Sequence, residues 1–110
     1  MTIDEAVKAA KGNDPVVYMD PMLGPMVFGR ICEITKVYRR QSDVMRGKAP
    51  EQYYLVLESM RCRTGSLHSC PPEDVRIATA QDIIDSGIHR EDVVPDAVAG
   101  YDRVMGEARK

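Results

Sequence analysis

The chain has 110 residues, of which 44% are hydrophobic and 29% charged, and its formal net charge is −2. That length holds one modest core without room for a cleft between two domains, and the composition excludes a disordered tail. No apolar run approaches the ~18–20 residues that cross a bilayer. The opening MTIDEAVKAAKG is acidic where a secretory signal is positive. Cys32, Cys62 and Cys70 form an odd set with no CxxC pair, which fits reduced thiols in a cytoplasmic protein. One domain over 1–110 is expected.

The first predicted element is a helix over 1–12. Thr2 and Glu5 have capping-box spacing, and Ile3, Ala6, Val7 and Ala10 make a narrow apolar stripe. Gly12-Asn13 and Pro15 end it. Residues 15–79 read as five strands. The first is Val16-Val17-Tyr18-Met19, closed by Asp20-Pro21 and Gly24-Pro25. The second, 26–39, has apolar residues on both parities, which predicts a bend or bulge, and Gly29 suits a close backbone approach. Residues 40–52 are polar and read as a loop, with no helix expected between Met26 and Ser59. The third strand follows over 52–59. A tight turn at Gly65, a polar strand over 66–70, the break Pro71-Pro72-Glu73-Asp74 and a last strand from Val75 complete the set.

Residues 80–110 read as a helical extension. Thr79 and Asp82 cap a short helix anchored by Ile83, Ile84 and Ile88. Val94, Val98, Tyr101, Met105 and Ala108 then recur at four- and three-residue steps, the seam of a second helix with Pro95 in its first turn. Gly100 and Gly106 each weaken that helix by ~1 kcal/mol relative to alanine, so docking must stabilise it. The outer face of the strand carrying Tyr54 and Val56 is its expected seat.

The strand order and breaks resemble the SH3-like barrel family. The resemblance rests on the strand Gly29-Arg30-Ile31-Cys32-Glu33-Ile34, the strand over 53–58, the Gly65 hairpin and Pro71-Pro72-Glu73-Asp74-Val75. It implies a mainly β fold, a five-stranded bent barrel over 15–79 flanked by N- and C-terminal helices. The chain also resembles small uncharacterised bacterial and prophage-encoded proteins that share the Gly29-to-Ile34 pattern and the Cys70-Pro71 to Val75-Arg76 ending, which implies a mobile-element setting and assigns no activity. Peptide-binding SH3 domains carry an acidic loop after the first strand. Here that loop is Asp20-Pro21-Met22-Leu23-Gly24-Pro25, and the chain has no Trp, so polyproline recognition is not expected.

Candidate chemistry is sparse. There is no GxGxxG, GxxxxGK[ST] or HExxH. Cys62, His68 and Cys70, with Cys32 elsewhere, match no common zinc spacing, so no metal and no cofactor are expected. No third group orients a Cys–His pair, and the chain reads as non-enzymatic. Charge is more informative. Residues 26–63 carry eight Lys/Arg against four acids, +4, and the remainder carries −6. Two surfaces follow. The helical seam of Val98, Tyr101 and Met105 either covers the barrel or meets a second subunit or unknown protein partner, with Met22, Leu23 and Met26 as adaptable neighbours. Arg39, Arg40, Arg46 and Lys48, with Tyr38, Tyr53 and Tyr54 as stacking faces, make a candidate nucleic-acid surface. The leading expectation is a small interaction module. The alternative is a nucleic-acid-binding accessory protein.

Overall fold

A computed structural model describes residues 1–61 and 67–108. Cys62, Arg63 and the Gly65 turn lie outside the described residues. The elements run α1 (Ile3–Lys11), β1 (Val16–Asp20), β2 (Gly24–Val37), α2 (Gln41–Met45), β3 (Gln52–Ser59), β4 (Leu67–Cys70), a 3₁₀ turn (Pro72–Asp74), β5 (Val75–Ile77), α3 (Ala80–Asp85), a second 3₁₀ turn (Arg90–Asp92) and α4 (Pro95–Ala108). The strands form one antiparallel sheet in the order β4-β3-β2-β1-β5.

That sheet is the middle layer of the protein. On one face α1 inserts Ala6 and Ala9 among Val16, Phe28, Ile31, Leu55, Leu57, Cys70 and Val75. On the other, α3 and α4 close a second core of Met60, Ile83, Ile88, Val93, Ala97 and Tyr101, against which Val27 packs. β2 serves both cores by ordinary alternation, Val27 toward one and Phe28 toward the other, and its register slips twice, between Phe28 and Arg30 and between Ile31 and Glu33. Each extra residue reverses which side chains face inward, so Phe28 and Ile31, three apart, reach the same core. The mixed parity of the sequence has this cause.

Several expectations need correcting. The five strands do not close into a barrel: β4 and β5 are edges of an open sheet. They are four and three residues long and separated by the 3₁₀ turn, and α1 fills the inner face where an opposing sheet would sit. The Met1 ammonium donates to the carbonyls of Pro72 (2.8 Å) and Val75 (3.0 Å), tying α1 to that gap. Within α1 the buried residues are Ala6 and Ala9, while Val7 is exposed. Small side chains let the helix approach the sheet closely, whereas the larger Val7 would hold it off. A helix, α2, does form in the 40–52 loop. It is one turn on a stretch free of Gly and Pro, ended by Gly47 at φ +67°, and it buries nothing. Ile84 is exposed and anchors nothing.

The C-terminal helix also sits elsewhere than expected. It packs over β2 and α3, leaving Tyr54 and Val56 of β3 half-buried. Two glycines select this seat. A Cβ at Gly29 would lie 3.0 Å from Ala97 Cβ and 3.1 Å from Met60 Cα, and one at Gly100 would lie 2.5 Å from the Asn13 carbonyl oxygen. The backbones meet where side chains are missing.

The expected capping box at Thr2–Glu5 is present, and the expected Thr79 cap is a full capping box with Asp82. The second is reinforced. Arg76 donates both terminal nitrogens to Asp82 at 2.7 and 2.8 Å, and the Thr79 amide and hydroxyl donate at 2.7 and 2.9 Å. Arg76 foremost, then Thr79, holds the Asp82 carboxyl far below the usual carboxylate range. A depressed folded-state pKa gives stability that is present above the ordinary carboxylate pKa of about 4 and is lost as pH falls below it. Asp82→Asn is expected to lower neutral-pH stability by about 1–3 kcal/mol and to flatten the acid limb of stability against pH. Urea midpoints measured across the acid range check both effects. An unchanged limb would show that Asp82 is not the linked group.

Candidate interaction surface

β1 pairs with β2 only over residues 24–28, and β4 pairs with β3 only over 55–58. Thr35, Lys36 and Val37 therefore pair with Tyr54, Tyr53 and Gln52 and with no third strand. This two-stranded ribbon, together with the loop over 38–51 and α2, forms an arm that leaves the sheet. The radius of gyration is 15.1 Å and the long axis 49 Å, where a compact chain of this length would have a radius of about 13 Å. No residue from 38 to 51 is buried. The loop nonetheless has order: the Glu51 amide donates to the Val37 carbonyl at 2.8 Å, and the Lys48 amide donates to that of Asp43 at 3.1 Å.

Arg39, Arg40, Arg46 and Lys48 all lie exposed on this arm. Lys48 pairs with Asp43 at 3.7 Å. Arg39, Arg40 and Arg46 have no ion pair among the described residues. Residues 35–54 carry five cations and two carboxylates, +3, leaving −5 on the rest of the chain. Tyr38 and Tyr53 stand half-buried beside these cations. Sequence reasoning missed the apolar part of the tip. Val44 and Met45 are 52% and 89% exposed, between Asp43 and Arg46. Two consecutive apolar residues inside a polar loop were the available signal.

The other candidate residues lie apart from the arm. Tyr101 is 8% exposed inside the second core, with Val98 and Met105 packed against it, so the seam covers this chain's own sheet. Met22 and Leu23 are exposed on the β1–β2 turn, where the Asp20 carboxylate accepts from both amides at 2.8 Å. The half-buried Met26 packs against the first core.

His68 lies under Tyr18 and Phe28, with ring centroids 4.6 and 5.6 Å away. Cys70 is buried and its thiol is pushed up to about 11 by burial, while burial also raises the exposed Cys32 thiol. Neither has the low pKa of a nucleophile. Among the described residues no three His, Cys, Asp or Glu side chains converge as a metal site. A cleft of about 700 Å³ between α1, β5 and α4 includes Lys8, Ile77, Thr79, Arg103 and Val104 in its lining. Arg103 is already bound to Asp14 and to the Gly12 carbonyl. No helix among the described residues is long and apolar enough to cross a membrane.

No protein-family model matches the chain, and no curated protein or solved structure matches it significantly.

Proposed function

We propose that this chain is a non-enzymatic interaction module whose β2–β3 arm, and not its folded body, meets the partner. One observation carries the reading. Residues 38–51 bury nothing, yet they expose three arginines that have no ion pair among the described residues, and the side chain of Met45. Connections between paired strands are usually about 2–5 residues, so the connection over 38–51, which carries its own helix α2, is longer than joining β2 to β3 requires. The body supplies both cores and holds the arm out. The raised thiols and the ring-stacked His68 support a role without catalysis.

The framework we propose is SH3-like, opened by α1. Its support is the strand order β4-β3-β2-β1-β5 and the 3₁₀ turn directly before β5. The free thiols favour a cytoplasmic setting, and the sequence pattern from Gly29 to Ile34 favours a prophage or mobile-element origin. A second reading, an accessory protein that binds nucleic acid, rests on Arg39, Arg40, Arg46 and Lys48 of the same arm.

Photo-crosslinking tests the arm against the body. A photoreactive side chain at position 45, in cells producing the protein, is expected to give a discrete macromolecular adduct that Arg39→Glu with Arg40→Glu abolishes. The same group at Lys8 is expected to give none. Equal adducts at the two positions, or adducts at Lys8 alone, would overturn the reading.

A further inference from the structure

We infer that the arm's partner is duplex nucleic acid, with the ribbon in a groove, Arg39, Arg40 and Arg46 on phosphates and Met45 against a base edge; the inference rests on the arm being the binding element. Shape is the first argument. Over Thr35–Tyr54, Lys36–Tyr53 and Val37–Gln52 the arm is two strands wide and free of third-strand pairing. Two strands spaced about 4.8 Å apart with their side chains fit a major groove about 12 Å wide. A broad protein partner is served poorly by the same shape. A stable protein interface buries about 800 Å² per side around an apolar centre, and the tip's exposed large apolar side chains are Val44 and Met45.

Charge is the second argument. The arm carries +3 and the remainder −5. A polyanion is therefore attracted to the tip and repelled by the body, which selects an end-on approach instead of non-specific coating. Phosphate contacts of this kind release counterions, so binding must weaken steeply with salt. Met45, 89% exposed and next to Arg46 at the tip, is the apolar side chain available to meet a base edge, such as a thymine methyl, once the phosphates are held.

Titration of a labelled mixed-sequence duplex, and of one of its strands alone, across a salt series tests this. The duplex is expected to bind the full chain more tightly than the single strand, with log K falling against log salt by about 0.9 for each phosphate contacted. Arg39→Gln, Arg40→Gln and Arg46→Gln together should weaken binding by more than about tenfold and flatten the slope by roughly 2–3. Met45→Ala should weaken binding several-fold and leave the slope unchanged. These residues are exposed, so unfolding midpoints should match the unaltered chain and separate binding loss from misfolding. No duplex binding at low salt, equal affinity for the single strand, or indifference to the arginine substitutions would each overturn the inference. A protein adduct at position 45, lost with the arginines and accompanied by no duplex binding, would overturn it while leaving the arm as the interaction surface.

Discussion

Truncation after Ile88 is expected to abolish cooperative unfolding, or to leave a protein that associates through its stripped face. The removed segment supplies Val93, Ala97 and Tyr101 to the second core and packs Val94, Val98, Val104 and Met105 around them. Fully burying a large apolar side chain is worth roughly 1.5–3 kcal/mol, so Val93 and Tyr101 with their neighbours sum to several kcal/mol. A small domain has only about 5–15 kcal/mol in total. The cut also uncovers Met60 and Ile83, both essentially inaccessible in the intact chain, and removes the 2.9 Å hydrogen bond from the Val94 amide to the Met60 carbonyl. Urea unfolding followed by circular dichroism, with sedimentation velocity alongside, reads both outcomes. A monomer with an unchanged midpoint would mean that α4 is not part of the fold.

Alanine at Gly100 and alanine at Gly106 are expected to change stability in opposite directions, although both residues lie in α4. Helix propensity alone favours alanine by ~1 kcal/mol at each. At Gly106 the new Cβ would meet nothing within 4 Å, so Gly106→Ala should stabilise by about 0.5–1 kcal/mol. At Gly100 it would lie 2.5 Å from the Asn13 carbonyl oxygen and 3.1 Å from Pro15 Cδ. The obstacle is backbone, and Asn13 sits at φ 51°, a left-handed conformation with little freedom to yield. Undocking α4 from this segment should cost about 1–3 kcal/mol, and more than the gain in propensity. Chemical denaturation of the two variants side by side gives both signs. Stabilisation of equal size would show that α4 does not rest on residues 13–15.

These two glycines also mark the limit of what the sequence discloses. Local rules identified Thr2–Glu5 as a capping box, Thr79 as a helix cap, Pro95 as a first-turn residue and the β2 region as irregular, because each depends on neighbours within a few positions. Where α4 docks depends on Gly29 and Gly100, seventy-one positions apart, meeting backbone from other elements. No periodicity encodes that meeting. Closure of the sheet was misjudged for a related reason. Whether five strands form a barrel or an open sheet depends on what fills the inner face, and Ala6 and Ala9 of α1 fill it. At the candidate surface, charge revealed Arg39, Arg40, Arg46 and Lys48, since cations need no packing to be recognised. The Val44-Met45 pair is visible in the sequence, but its exposure is a property of the fold.

If the arm serves binding and the body folding, removing the arm should leave the fold intact. The most direct test is equilibrium unfolding of the chain with residues 38–51 replaced by an Asn-Gly turn, which suits a two-residue hairpin after Val37. Neither hydrophobic core includes a residue from that segment, and a shorter loop costs less closure entropy. We expect a single cooperative transition with stability unchanged or raised by about 1 kcal/mol. A loss of more than about 2 kcal/mol, comparable to removing a buried side chain, would show that the arm belongs to the fold and would contradict the account.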